Sequence, residues 1–243
     1  MRTAIGATPT WRLRPWPNDP SVCHLVLTDH LHIPTNVDLQ RALSAARQQG
    51  FTVVRTSALF PGALEIALDA GFSPVDQLAL LRLPLRGGSW SPSANTLRRS
   101  TSRPMRSWHH GRAAAVDLAA FGPVWGNDSR SISEIGDATP VHRARWIRRG
   151  DQFAGFAISG ADGDNGYLQR LAVSPAHRRT GIAKALVVDA LDWMCRRELN
   201  AALVNTGVDN LVALTLYERL GFVRLSDRLT IAEQRLTDVD TIA

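Results

Sequence analysis

The run from Tyr167 to Leu186, YLQRLAVSPAHRRTGIAKAL, has the residue types and spacing best suited to chemistry. It reads as a strand, a short turn, and a glycine-containing loop that opens an amphipathic helix. Such a loop turns several unpaired backbone amides in one direction, and the helix dipole adds partial positive charge, so a pyrophosphate fits there. Gly181 lets the backbone approach closely, and the small Ala183 keeps the helix start open. Arg178 and Arg179 add charge at the rim. Taken alone, a glycine at a helix start is better explained by structure than by function.

The elements that must position this loop can be read on either side of it. Ala113 to Phe121 has helical composition, and Phe153 to Ser159 reads as a strand. The segment Gly160 to Gly166, rich in glycine and aspartate, is expected to turn it as a hairpin into Tyr167 to Val173, which Ser174-Pro175 ends. From Gly181 to about Leu199, Ala183, Val187, Ala190, Leu191 and Met194 fall on one helical face, with Lys184, Asp192 and Arg196 elsewhere. Ala201 to Thr206 is a buried strand, Asn210 to Leu220 a helix stopped by Gly221, and Phe222 to Leu236 holds further strands. The result is a mixed α/β pattern.

Sliding the chain against itself reveals a repeat. A shift of 150 positions places Val53 on Leu203, Val54 on Val204, Thr56 on Thr206, Leu64 on Leu214, Gly71 on Gly221 and Phe72 on Phe222, without a gap. A helix over Val37 to Gln49 and a strand over Gln77 to Leu85 complete the N-terminal copy. The Gly/Ser/Pro-rich stretch after Arg86 reads as a linker, so the expected division is a unit at 1–88, a linker at 89–95 and a second unit at 96–243.

Composition limits the classes. The chain has 243 residues, 44% of them hydrophobic, enough for one large or two small buried cores. Neither a continuous apolar leader nor a run of about 18 apolar residues is present, so no membrane span and a cytoplasmic location are expected. Two cysteines, Cys23 and Cys195, make neither a disulfide framework nor a metal site, and His30 and His32 lack a completing carboxylate or cysteine cluster. The net charge of +6 favours an anionic partner, a phosphorylated cofactor among them. Two basic stretches, Arg98 to Arg112 and Arg143 to Arg149, are better read as solvated faces than as a nucleic-acid surface.

Arg178-Arg179-Thr180-Gly181-Ile182-Ala183 resembles the pyrophosphate signature of the GNAT (GCN5-related N-acetyltransferase) superfamily: Gln or Arg, two free positions, Gly, one free position, Gly or Ala. Leu171-Ala172-Val173 is similar to the family's acyl-CoA-binding strand. Asn205 to Asn210 and Ala213 to Phe222 look like the other half of the signature. The resemblance covers roughly the last 150 residues. It implies a GNAT acyl-CoA N-acyltransferase fold, acetyl-CoA as cosubstrate with no metal, and a primary amine as acceptor.

Carried over by position, the resemblance assigns the pantetheine arm to Leu171, Ala172 and Val173, with Ala201 to Thr206 as the splayed partner strand. It gives the pyrophosphate to the amides of Arg179, Thr180, Gly181, Ile182 and Ala183, with Arg178 opening the motif. Asn210 matches a contact to the cofactor's arm, and Tyr217 the usual general acid. The positions where some members carry a basic glutamate read Gln169 and Asn205 here, which leaves Glu134 and Asp117 as candidate bases, or a water chain. Asn210 to Phe222 is also similar to the matching part of bacterial enzymes that acetylate the N-terminus of a ribosomal protein, with Asn205 departing from their glutamate. A weak base tilts the acceptor toward an α-amine, whose pKa is about 7.7 to 8.0 against about 10.4 for lysine.

Counting back 150 positions, Tyr217 falls on Ala67 and the phosphate loop on Thr28 to Ile33, which has no glycine. The N-terminal unit therefore looks like a degenerate partial GNAT module. The competing reading of the whole is a non-catalytic acyl-CoA-binding regulatory module with a basic surface facing nucleic acid.

Overall fold

In a computed structural model, residues 11–27, 33–87, 90 and 102–236 are described. His30, His32, Arg98, Arg99 and, except for Trp90, the expected linker lie outside them. Contacts group the chain into two compact units: Met1–Ala79 with Ser226–Ala243, and Leu80–Leu225.

The first unit contains β1 (Trp11–Trp16), β2 (Asp19–Leu27), α1 (Asn36–Gln48), β3 (Val53–Thr56), α2 (Pro61–Asp69), the opening of β4 (Ser73–Pro84), and most of β10 (Val223–Arg235). Helix α1 starts where Thr35 and Asp38 exchange hydrogen bonds, each accepting from the other's amide at 3.2 Å. Its Leu39, Leu43 and Ala46 meet Cys23, Leu25 and Val54 of the sheet in a closed apolar core. Strands β2 and β3 run parallel and pair continuously from Val22–Val53 to Leu25–Thr56, and the Ser57 amide extends the contact to the Leu25 carbonyl at 2.8 Å. On its other side β3 pairs antiparallel with β10 through Arg55 and Glu233, whose side chains also form an ion pair.

The second unit contains the end of β4, then β5 (Ser102–Pro104), α3 (His110–Trp125), α4 (Ser129–Gly136), β6 (Val141–Arg149), β7 (Gln152–Asp162), β8 (Asn165–Val173), α5 (Ile182–Arg196), β9 (Ala201–Gly207) and α6 (Leu211–Arg219). Its strands lie in the order β4-β9-β8-β7-β6-β5. The end of β4 is held to the turn before β9, since the Leu85 amide donates to Asn200 and Arg86 donates twice to the Glu198 carbonyl. Phe156, Ile158, Trp146 and Ala172 form one sheet face, covered by Ala113 and Val116 of α3 and Ile132 of α4.

The repeat is present at the level of elements. Helices α2 and α6 have both bounds 150 positions apart, as do the starts of β4 and β10. Each helix ends on a left-handed glycine, Gly71 at φ 90° and Gly221 at φ 93°.

Two expectations are corrected. The glycine-rich hairpin segment is mostly strand: Gly160 pairs with Tyr167 and Ala161 with Gly166, and only Gly163 and Asp164 make the turn. Gly160 and Gly166 are there for packing, because a Cβ would meet Thr139 and Met194 well inside contact distance. Asp192 is buried, not on a solvated helix face. Burial pushes its carboxyl above the usual range, with Arg196 opposing.

Candidate acyl-CoA site

The parallel pairing of β8 with β9 is short. It runs through Asn165–Ala201, Gly166–Ala202 and Tyr167–Leu203 and then stops, although β8 continues to Val173 and β9 to Gly207. Beyond Tyr167 the strands part. A bulge helps: on the β7 side Ile158 pairs with Arg170 and Ser159 with Leu168, which leaves Gln169 as the extra residue. The freed β8 stretch contains Leu171, Ala172 and Val173, and its alternate main-chain groups on the β9 side have no strand to bond. A cleft of this kind accepts an extended, amide-bearing ligand.

The loop that follows is tightly built. The Thr180 hydroxyl donates to the His177 carbonyl at 2.6 Å, and the His177 ring meets the Gln152 carboxamide at 2.7 Å. Arg179 and Gly181 both take left-handed conformations, at φ 63° and 83°. Gly181 is the N-cap of α5 and supplies no side-chain acceptor, so the amides of Ile182 and Ala183 open from the helix end. The Arg178 guanidinium does not stand free at the rim: it donates to the Ala120 carbonyl at 3.1 Å.

From the other side of the cleft, β9 leads into α6. Asn210 caps this helix, accepting from the Ala213 amide at 3.2 Å and donating to the Thr206 hydroxyl at 3.2 Å. Tyr217 is 4% exposed, with its ring 5.6 Å from that of Phe222. Burial pushes its phenol well above the ordinary tyrosine range. The other tyrosine, Tyr167, is raised as well, by burial and then by Asp162.

With the folded pKa raised, the protonated phenols contribute stability that is complete below the unfolded value of about 10 and declines as pH rises past it. An ultraviolet titration is therefore expected to show little phenolate at about pH 10 in the folded protein, with the signal appearing as the chain unfolds in alkali. Half or more of the tyrosine signal at that pH, with native structure retained, would contradict this.

The candidate bases are otherwise engaged. Asp117 is fully buried and binds Arg170 through both oxygens, at 2.6 and 2.7 Å, while also accepting from the amide and carboxamide of Asn127. Glu134 pairs with Arg130 one helical turn away. Gln169 donates to the Thr139 hydroxyl at 3.3 Å, and Asn205 is exposed on β9 beyond its pairing with β8. In the second basic stretch, Arg143 binds both oxygens of Asp189, at 2.8 and 3.1 Å, and Arg145 lies 3.6 Å from the same carboxylate. Those arginines serve the unit's own packing. Among the described residues, no group of three or more His, Cys, Asp or Glu is placed to hold a metal, and no helix is long and apolar enough to cross a membrane.

The site is thus a mixed sheet that opens between two parallel strands, with a glycine-containing loop at the end of one. Residues 116–222 match the acetyltransferase (GNAT) family. Among curated proteins, it is 45% identical over 60 residues to N-alpha-acetyltransferase 30 of Saccharomyces cerevisiae, a match spanning 25% of this chain and 34% of that protein. It is 28% identical over 181 residues to mycothiol acetyltransferase of Renibacterium salmoninarum, spanning 67% and 52%. The chain thus spans between about a third and a half of the length of these relatives. A solved tandem GNAT protein from the clavulanic acid biosynthesis pathway superposes with a TM-score of 0.63 at 14% identity, over 95% of this chain and 79% of that one. That likeness shows the fold.

Proposed function

We propose that the protein is an acetyl-CoA-dependent N-acetyltransferase with one working site, in the second unit. The observation that carries the reading is the parting of β8 from β9 beyond Tyr167–Leu203, directly ahead of the loop at Arg178–Ala183. The arm of acetyl-CoA lies along Leu171–Val173, and its pyrophosphate on the amides from Arg179 to Ala183. A neutral amine attacks the thioester carbonyl, a backbone amide near Val173 stabilises the oxyanion, and coenzyme A departs with Tyr217 as hydrogen-bond donor to its sulfur. Asn210 orders the cleft's other wall. The names of the relatives, an N-alpha-acetyltransferase and a mycothiol acetyltransferase, support acetyl transfer to a peptide α-amine or a small-molecule amine. With Asp117 and Glu134 occupied, an ordered water takes the proton, which favours a weakly basic amine.

The first unit is a degenerate half-module in this reading. Its residues 53–56, equivalent to 203–206, remain paired to β2, so the cleft that opens in the second unit is closed there. The tandem GNAT neighbour supports that interpretation.

The test is free-thiol release from acetyl-CoA in the presence of α-amino peptides, lysine peptides, polyamines and aminoglycosides. Amine-dependent release is expected, strongest for α-amines; tight acetyl-CoA binding with no release from any of them would favour a binding module instead. A further expectation concerns Gly181→Ala. A side chain at φ 83° costs about 1 to 2 kcal/mol, but a Cβ would meet nothing within 4 Å, so the cost falls on the loop's conformation and not on packing. Acetyl-CoA affinity measured by calorimetry should fall about tenfold, with thermal stability changed by only a few degrees.

A further inference from the structure

Rings in the second unit form a line that starts in the core and ends in solvent. Phe156 is wholly buried and lies 6.3 Å from Phe153, which stacks on Trp146 at 4.6 Å with the planes 2° apart. The His109 ring lies 5.2 Å from Trp146, and Trp108 lies 5.5 Å from His109. The Trp108 indole, at the outer end, is 76% exposed. A tight turn at Ser107–His109 leads into α3 and carries it, and the Arg106 amide holds the His109 ring by donating to Nδ1 at 3.0 Å. An indole left this open forgoes the burial that usually holds aromatic rings in place, and most of its surface is free to meet another planar group. Cations flank the line. Arg103, on the edge strand β5, stands opposite Trp146, and Arg148 stands opposite Phe153, so both project from the sheet face that carries those rings. Arg103 and Arg106 are exposed and form no ion pair among the described residues, whereas Arg148 pairs with Asp151 at its own turn. A solvated face accounts for the arginines but not for an indole held in solvent at the end of a ring stack.

We propose that Trp108, with Arg103 and Arg106, is a docking surface for single-stranded RNA, in which an unpaired base stacks on the Trp108 indole and the adjoining phosphates bind the two arginines. The role does not depend on the acetyltransferase reading. RNA is the polyanion that presents unstacked bases in its loops and ends, and a base extending the line of rings completes what the stack leaves open. The net charge of +6 draws such a polyanion toward the protein. Neither a duplex nor an acidic peptide fits as well. A duplex keeps its bases in its own stack, and a run of carboxylates offers no ring, so both would meet only the arginines.

The experiment titrates the full chain into a fluorescein-labelled oligouridine of about twelve nucleotides and follows its anisotropy. Binding in the micromolar range is expected at about 50 mM salt. Trp108→Ala should weaken it about tenfold, and Trp108→Phe, which keeps a ring, should recover most of that loss. Replacing Arg103 and Arg106 together by alanine should lower the slope of log affinity against log salt by about 1.4, as the loss of two phosphate contacts requires. All three side chains are exposed, so the thermal midpoints of the variants should stay within a few degrees of wild type, which separates lost docking from lost folding. No binding by the wild type, or binding that Trp108→Ala leaves unchanged, overturns the proposal. An RNA duplex or polyglutamate bound as tightly as the oligouridine overturns it too, because the surface would then be a charged face without a stacking site.

Discussion

Tyr217→Phe is expected to lower turnover about a hundredfold while leaving acetyl-CoA affinity within about twofold. The ring is 4% exposed and packs on Phe222, so phenylalanine fills the same space and only the hydroxyl is lost. In the proposed role, the loss is of a hydrogen bond to the departing sulfur more than of a full proton transfer. An ordinary phenol near 10 is already uphill as an acid toward a thiolate whose acid is near 8.5, and burial raises the Tyr217 phenol further. For the same reason, no decline in rate from ionisation of Tyr217 is expected below about pH 10. Steady-state kcat beside a calorimetric dissociation constant makes the check, and equal turnover in both proteins would remove the assigned role.

Asp117→Ala should destabilise the second unit by about 3 to 5 kcal/mol, because removing one member of a buried ion pair strands its partner. The carboxylate is wholly buried and receives four hydrogen bonds, two from Arg170 and two from Asn127. Without it, a guanidinium that is only 20% exposed keeps its contacts to Trp125 and Phe121 but has lost its counter-charge. Asp117→Asn retains the shape and an acceptor for Arg170, and should cost less. Denaturant unfolding of the two variants beside wild type would measure both; a loss under about 1 kcal/mol in Asp117→Ala would mean that water reaches the pair.

What could be read from the residues alone was local pattern and register. The 150-position shift brought α2 onto α6 and β4 onto β10 because an amphipathic helix followed by Gly-Phe and a strand fixes its own phase. The start of α5 at Gly181 was legible for a similar reason, since the glycine and the apolar face that follows lie in consecutive residues. The parting of β8 from β9 was not: Leu203 and Val204 differ little as residue types, and which of them keeps a partner depends on a bulge in the other strand. Gly160 and Gly166 suggested a turn because sequence does not reveal that Thr139 and Met194 will press on them. Asp117 looked like a possible base for want of its partner, Arg170, which is 53 positions away. Arg178 looked like a rim charge, and its bond to Ala120 depends on where a broken helix ends.

The ion pair between Arg55 and Glu233 joins residues 178 positions apart within the first unit. During synthesis β1, β2 and β3 emerge well before β10, the strand that covers the open edge of β3. Until then, β3 presents unpaired amides and carbonyls to any neighbouring chain. The contact closes a loop of that length, so the first unit, although it begins earlier in the chain, cannot be completed until residues 226–235 have been made.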